Sequence, residues 1–455
     1  MKEYCGITGI IGNVDNIYHK IYLTLFSLQH RGQESAGITI NKDGDFHTYK
    51  REGFVRNLLK VPGVITEGFS SIGHVRYKTA GDSSLANAQP IFAKTIHGKL
   101  ALAHNGNLVN AWEIRNDLSD NGAIFQGNSD SEVIIHDLAR RKKDFPSALK
   151  ETLNNLKGAF SLVLLKDDAL YGIRDPFGFR PLVYGKIDGG HIITSETCAI
   201  DILNGEYLGE VPEGTIIRID KEGDISFIKY TDDVKPNHCL FEHIYFARPD
   251  SKVFGKNVHS VRFKSGIQLA KENSDLKFDL VVAVPDSGLS AALGFSKESG
   301  KPIDRGLIRN HYVGRSFINP TVQQRRNTVR MKLTPVQEVV KGKSVALIDD
   351  SMVRGTTAKE IVVLLKQYGV GEIHYFLSSP PIRHSCFFGI DTPTRKELIA
   401  NKYSPEEIAN YLNIKSVNFL SVKGFREILE DEADDYCFGC FTGKYPLEVD
   451  KNGLL

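Results

Sequence analysis

A chain of 455 residues is longer than one ordinary hydrophobic core supports, so two domains with short extensions are expected. With 41% hydrophobic and 25% charged residues the composition is that of a water-exposed globular protein, and a net charge of +2 without a basic tract argues against nucleic acid as a partner. No apolar run reaches membrane-spanning length and the N-terminus lacks a basic-then-apolar signal, so no membrane association and a cytoplasmic location are expected; six cysteines are too few for a disulfide framework.

In chain order, CGITGIIG from Cys5 reads as a short apolar strand broken by glycines. The strings SLQHRGQESAGITI, FSSIGHVRYKTAG, LALAHNGNLVNAWEIRNDL and GNSDSEVIIHDL follow, each leading a strand or helix into a polar, glycine-bearing turn. Such turns let backbone N–H groups approach a small ligand closely. Further short strands are expected at Ala159–Leu165, Ala169–Arg174, Leu182–Gly185 and His191–Thr194, so strands dominate to about Tyr230, with two or three helices among them. A lone cysteine near a chain start is most simply a small buried hydrophobe in an edge strand. If cleavage made it the first residue, however, its α-amine (near ~7.7–8.0) would match its thiol (near ~8.5) as a general base.

Five of these strings, CGITGIIG, LQHRGQESAG, GHVRYKTAG, AHNGNLVN and SDSE, occur in the order found in class II glutamine amidotransferase domains, and residues 5–230 resemble that family. The resemblance implies an N-terminal-nucleophile hydrolase of αββα architecture. Cys5 would attack the glutamine amide to give a thioester and ammonia. Asn105 and the Gly106 N–H would be the oxyanion donors, each worth roughly 3–4 kcal/mol in a comparable protease site. Arg76 would fork onto the α-carboxylate of glutamine, Asp130 would take its α-ammonium, and Arg31 would shape the glutamine site beside the nucleophile. Two positions depart from the family pattern. Cys5 is preceded by Met-Lys-Glu-Tyr, so residues 1–4 are expected to be a propeptide removed by cleavage. Lys78 stands where the family string has serine, which bears on glutamine affinity.

TDDVKPNH, after Tyr230, reads as a linker between a first domain at 5–235 and a second at 236–455. FDLVVAVPDSGLSAALGFSKESG reads as a strand at Leu280–Val284, a turn at Pro285-Asp286-Ser287-Gly288 and a helix. A stretch rich in Arg305, Arg309, Arg315, Arg325, Arg326, Arg330 and Lys332 follows. The strand–turn–helix pattern then recurs in SVALIDDSMVRGTTAKEIVVLLKQYG: a fully apolar strand at Val345–Ile348, the pair Asp349 and Asp350, a hydroxyl-rich loop, and a helix stopped by Gly369. Strand-end loops of this kind favour phosphate at the helix N-terminus, and the acidic pair makes sense facing ribose hydroxyls or Mg²⁺.

VALIDDSMVRGTT resembles the signature of type I phosphoribosyltransferases, α/β proteins that bind phosphoribosyl pyrophosphate (PRPP). The resemblance implies that Asp349 and Asp350 hold the ribose, that Thr356 and Thr357 anchor the 5′-phosphate, that Ser351, Arg354 and Gly355 also contact PRPP, and that the loop with Asp286, Ser287 and Gly288 meets pyrophosphate. One Mg²⁺ per subunit would sit by Ser287, Asp349 and Asp350. Tyr312, Arg315 and Lys332 would touch pyrophosphate from a flexible loop that closes over the substrate and excludes water.

Cys437 and Cys440 form a C-x-x-C, with Cys386 and Cys239 elsewhere in the second half. Four cysteines from three segments suit either zinc or an iron–sulfur cluster, and Cys198, without a partner, reads as core. CLFEHIYFARPDS resembles the domain junction of the glutamine PRPP amidotransferase family, and the similarity extends over nearly the whole chain. In the propeptide-bearing members of that family these four cysteine positions match the ligands of one [4Fe–4S] cluster per subunit. The resemblance further implies PRPP and glutamine as substrates, 5-phosphoribosylamine as product, ammonia passing through an internal channel, purine nucleotides as feedback inhibitors, and a homotetramer.

Overall fold

The computed structural model describes residues 5–77, 84–312 and 331–449. Met1 to Tyr4, Lys78, Arg315, Arg325, Arg326 and Arg330 lie outside the described residues. Among the described residues no helix is long and apolar enough to cross a membrane.

The first part of the chain folds as two stacked antiparallel sheets. One has seven strands in the spatial order Glu206–Glu210, Val183–Ile187, Gly190–Thr194, Gly6–Gly12, Ser70–Arg76, Ser35–Lys42 and Asp45–Glu52. The other has six, ordered Ile225–Lys229, Thr215–Asp220, Ala169–Arg174, Gly158–Lys166, Gly98–Leu108 and Ile91–Thr95. Ile7, Ile11 and Ile72 of the first sheet meet Ala101, Ala103, Val163 and Ile217 of the second in one buried layer. A residue larger than glycine would not fit at Gly9, where a Cβ would fall 2.7 Å from both Leu170 Cδ1 and Val163 Cγ1. The helix Ile17–Ser27 packs Ile17, Ile21 and Leu25 onto the outer face of the seven-stranded sheet. Ala111–Asp120, Asp130–Arg140 and Phe145–Asn155 cover the outer face of the six-stranded one. Each sheet thus buries both faces, and the layers read helix, sheet, sheet, helix, as the amidotransferase resemblance implies.

Several details differ from the sequence reading. Among the described residues five α-helices, not two or three, lie between Cys5 and Tyr230, the short Cys198–Asp201 turn included. Phe145–Asn155 escapes detection because its apolar stripe is thin, although Asp144 caps it and Pro146 sits in its first turn. The strand expected at Leu182–Gly185 runs Val183–Ile187, and the one expected at His191–Thr194 starts at Gly190. Cys5 precedes a central strand, not an edge strand, because Gly6–Gly12 pairs on both sides.

The linker residues are pinned to the first part: Lys235 N donates to Pro176 O at 3.0 Å and Asn237 N to Phe177 O at 2.7 Å. Beyond them a five-stranded parallel sheet runs in the order Ile303–Asp304, Leu280–Ala283, Val345–Asp349, Ile373–Leu377 and Ser416–Phe419. Both faces are covered, one by Phe278, Phe295 and Phe376 with their neighbours, the other by Ile361, Leu365, Ile408 and Leu412. That explains why Val345 to Ile348 are apolar without alternation. The strands point their carboxyl ends at one edge, where open α/β sheets bind ligands.

Phe295 is 1% exposed and its ring lies 4.7 Å from that of Phe376. Phe295→Ala is therefore expected to destabilise the chain by about 3–5 kcal/mol, read as an earlier urea transition.

Candidate functional sites

Cys5 is buried where the Gly6–Gly12 strand begins, its Sγ donating to Tyr77 O at 3.5 Å. Burial pushes the thiol up to about 11; Arg76 opposes the shift, while Asp130 and Glu34 add to it. The structure thus brings Arg76 and Asp130 from distant strings into electrostatic range of the nucleophile. Arg76 is buried and its Nη1 donates to Glu34 Oε1 at 2.8 Å. Asp130, at the first turn of its helix, accepts from Leu108 N at 3.0 Å through Oδ2.

Asn105 and Gly106 lie on the Gly98–Leu108 strand. His74 Nε2 meets His104 O at 3.1 Å, and His74 pairs in register with Ile7, so the two sheets bring Asn105 toward the Cys5 end. Both side-chain polar atoms of Asn105 are buried without a hydrogen-bond partner. An orphaned buried amide costs roughly 1–3 kcal/mol, a penalty tolerated where a ligand completes the pairing. Gly106 cannot carry a side chain: a Cβ would fall 1.9 Å from Ala159 O.

Arg31 is fully buried beside Gly6, but its guanidinium is engaged elsewhere. Nε bonds Glu196, and Nη2 lies 2.5 Å from Glu242 Oε2. Arg31 therefore spans the domain junction from a position beside Gly6, next to Cys5. Sequence reasoning missed the residues that seat the rest. Gln89 Oε1 accepts from His104 N at 2.7 Å, and Ser131 Oγ joins Gln89 Nε2 and His104 Nδ1 at 2.9 Å each. His104 stands inside the AHNG string and Ser131 inside SDSE, whereas Gln89 carries no such signal.

At the carboxyl edge of the parallel sheet, two loops meet. Gly288 lets them approach, since a Cβ there would fall 2.2 Å from Ile348 O. Ser287 Oγ donates to Asp349 Oδ1 at 3.2 Å, Asp350 N to the same oxygen at 2.9 Å, and Tyr375 OH to Asp349 Oδ2 at 2.9 Å. Ser351 Oγ donates to Asp350. Burial, and then the like charge of Asp350, hold the Asp349 carboxyl well above the usual carboxylate range. Such a pair is the donor set of a hard cation, whose charge would reverse the shift. Gly355 (φ +74°) precedes the helix Thr356–Gln367, and no side chain caps it, so the N–H groups of its first turn are open to an anion. Thr356 and Thr357 are exposed there, whereas Arg354 leans on Glu397 at 3.0 Å. Asp286 Oδ2 pairs with Arg309 Nη1 at 2.6 Å. Tyr312 is fully exposed, and Lys332 O accepts from Asn310 N at 2.7 Å at the other foot of the same segment.

The four cysteines of the second half converge from three segments. His238–Cys239 pairs in parallel with Tyr436–Cys437, placing Cys239 opposite Cys437. Cys440 O accepts from Arg383 N and His384 N, both at 3.0 Å, and Cys386 Sγ accepts from Phe388 N at 3.3 Å. Burial and then their mutual charge raise the thiols of Cys437, to about 12, and Cys440. Burial raises that of Cys386 too, with Cys239 adding to the shift. Among the described residues no three His, Cys, Asp or Glu side chains are set to hold a single metal ion. Cys198 lies apart and buried, its thiol raised by burial and by Glu196.

A glutamine amidotransferase domain model matches residues 74–201. The chain is 45% identical over 451 residues to a chloroplastic amidophosphoribosyltransferase of Vigna aconitifolia, spanning 98% of this chain and 92% of the relative. It is 42% identical over 464 residues to the amidophosphoribosyltransferase of Bacillus subtilis, spanning 100% of this chain and 96% of the relative. Among solved structures it resembles the glutamine PRPP amidotransferase of B. subtilis complexed with ADP and GMP, with a TM-score of 0.91, 41% identity and 98% of each chain covered.

The Asp349 carboxyl binds its proton more tightly in the folded chain than in the unfolded one. The stability it contributes is thus present below the ordinary value near ~3.9 and lost as pH rises through the elevated one. In metal-free protein, the urea midpoint is expected to fall as pH rises above the ordinary carboxylate range, more steeply for the unsubstituted chain than for Asp349→Asn.

Proposed function

The chain belongs to the amidophosphoribosyltransferase family, and we propose that Cys5 and the Asp349–Asp350 pair are the two reacting centres of its activity. The enzyme joins PRPP and glutamine in the first step of purine biosynthesis, with a glutamine amidotransferase domain followed by a phosphoribosyltransferase domain. Glutamine and water give glutamate and ammonia in the first, and ammonia displaces pyrophosphate from PRPP in the second to give 5-phosphoribosylamine.

The observation that carries the glutaminase half is the orphaned Asn105 amide. A tetrahedral oxyanion formed when the Cys5 thiolate attacks the substrate amide would take the Asn105 Nδ2–H and the Gly106 N–H as donors. Arg76 would receive the substrate carboxylate, with Glu34 yielding part of its pairing, and Asp130 the α-ammonium. A thiol held near 11 needs a base beside it. Removal of residues 1–4 would supply one, the freed α-amine of Cys5.

In the second half, Asp349 and Asp350 would hold the ribose hydroxyls and balance positive charge developing at the anomeric carbon. The open helix N-terminus at Thr356 and Thr357, with Ser351, Arg354 and Gly355, would take the 5′-phosphate. Asp286, Ser287 and Gly288, joined by Arg315 and Lys332, would meet pyrophosphate. One Mg²⁺ per subunit, bound with PRPP by Ser287, Asp349 and Asp350, would neutralise the leaving group. The raised Asp349 carboxyl supports this site, because a divalent cation favours both carboxylates in their charged form.

Cys239, Cys386, Cys437 and Cys440 fit one [4Fe–4S] cluster per subunit, which would tie the C-terminal segment to the junction in a structural or oxygen-sensing role. The buried thiols of Cys386, Cys437 and Cys440 resist ionisation, a cost that bound iron would lower. A multi-iron core takes one thiolate per iron, which suits a set of four cysteines drawn from three segments. ADP and GMP bound to the B. subtilis relative support purine nucleotides as feedback inhibitors here. We read the assembly as a cytoplasmic homotetramer.

Rates with glutamine and with ammonium salts separate the two halves. Asn105→Ala is expected to lower the glutamine-dependent rate by roughly 10²–10³ while leaving the ammonia-dependent rate intact. Equal loss of both rates would remove Asn105 from the glutaminase. Anaerobically purified protein is expected to contain about four iron and four sulfide per chain, lost in Cys437→Ser and Cys440→Ser. Stoichiometric zinc in their place would overturn the cluster.

A further inference from the structure

A segment of the second domain rests directly on the strand that carries Asn105 and Gly106. Asn107 Nδ2 donates to Phe387 O at 2.9 Å. The Phe388 ring stacks on Phe179, centroids 4.4 Å apart, and this pair forms a small buried cluster with Ala159, which Cys386 and Cys437 join. Gly389 (φ +106°) comes so close that a Cβ would fall 3.2 Å from Gly106 C and 3.1 Å from Arg180 Nη2.

Arg180 links the two bodies. It is fully buried, and Nη2 donates to Phe388 O. Nη1 lies 3.7 Å from Glu242 Oε1 at the domain junction. Its own carbonyl accepts from Ser161 Oγ at 3.2 Å, and Ser161 is the cross-strand partner of Asn105. One side chain and its backbone therefore touch the partner strand of the oxyanion donors, the Cys386 loop and the junction.

We propose that Arg180 is a positioning residue of the glutaminase. By docking the Phe387–Gly389 turn onto residues 105–107, it lets a loop of the phosphoribosyltransferase domain complete the oxyanion hole of the other domain. The inference rests on the reading of Asn105 and Gly106 as the oxyanion donors. It implies that displacement of the Cys386 loop would silence glutamine hydrolysis while leaving the acceptor site able to use ammonia.

In the full-length enzyme, Arg180→Gln is expected to lower kcat for glutamine hydrolysis by roughly tenfold or more, with KM for glutamine and the ammonia-dependent rate within about twofold. Arg180→Lys, which keeps the charge and one donor to Phe388 O, is expected to recover most of that loss. Gly389→Ala perturbs the same contact from the opposite side without leaving a buried charge unpaired, and decides the matter should Arg180→Gln fail to fold. Normal glutamine hydrolysis in Gly389→Ala and Arg180→Gln would overturn the proposal. So would parallel loss of the glutamine and ammonia rates, which marks a merely structural role. Asn105→Ala, measured alongside, separates the premises: if it too hydrolyses glutamine normally, the oxyanion reading itself falls, and if it alone is impaired, only the role of Arg180 does.

Discussion

The junction between the two domains depends on a dry cluster of charge. Glu196 and Glu242 are fully buried, with Arg31 and Arg180 equally so. Taking such groups out of water costs several kcal/mol per ion, and the cost is met only where every lone pair and N–H is matched. Glu196 comes close to that condition: it accepts from His30, Arg31, the backbone N of Arg248 and Ser251 Oγ. These partners hold its carboxyl far below the usual range against the opposing effect of burial. Arg31 bridges Glu196 to Glu242, and Glu242 opens a single π-helical turn, Glu242–Phe246, just past the linker. Irregular turns of that kind re-aim side chains, and here one carboxylate is aimed back into the first domain. Removing one member would strand the others as unpaired buried charge, so the arrangement depends on all of its members being present together.

Each candidate centre carries a raised proton affinity set by its own immediate surroundings. Cys5 is held as a thiol by burial, and Asp349 is held toward its neutral form by burial beside Asp350. In the proposed reaction both groups would act in their charged state. At Asp349 the positive charge that favours ionisation would come with a metal-bound substrate. At Cys5 the proton would have to leave to a base, with Arg76 already opposing the effect of burial.

Much of this was legible in the sequence for definite reasons. Val345–Ile348, the acidic pair and the loop to Thr357 are contiguous, so strand, site and helix N-terminus appear in one string. Cys5, Arg76, Asn105 and Asp130 were found because each stands in a separate recognisable string, not because composition or spacing marks them. What remained hidden lies in long-range contacts. Arg31 meets Glu196 and Glu242 across 165 and 211 residues, and Arg180 meets Phe388 across 208. A charged residue in an ordinary-looking string carries no sign of being buried, so the partners of Arg31 and Arg180 within the protein went unseen. Helix Phe145–Asn155 was hidden for a different reason, since tertiary packing supplies the stability that its thin apolar stripe does not announce.

The C-terminal segment poses the sharpest structural question. It reaches the junction through a parallel ladder only two residues long, His238–Cys239 against Tyr436–Cys437. Parallel pairing is slightly weaker per residue than antiparallel, and an isolated two-stranded ladder is marginal even when much longer. Side chains add to it: His238 stacks on Phe254 with centroids 4.4 Å apart, and Tyr436 OH meets His243 Nε2 at 3.1 Å. Burial raises the thiols of Cys386, Cys437 and Cys440, which makes their ionisation costly. A group that bound all four cysteines as thiolates would offset that cost and couple ligation to folding. Because the Cys386 loop is the same one that seats Asn107 and Gly106, ligation at the four cysteines and the geometry of the glutaminase would then be set by one event.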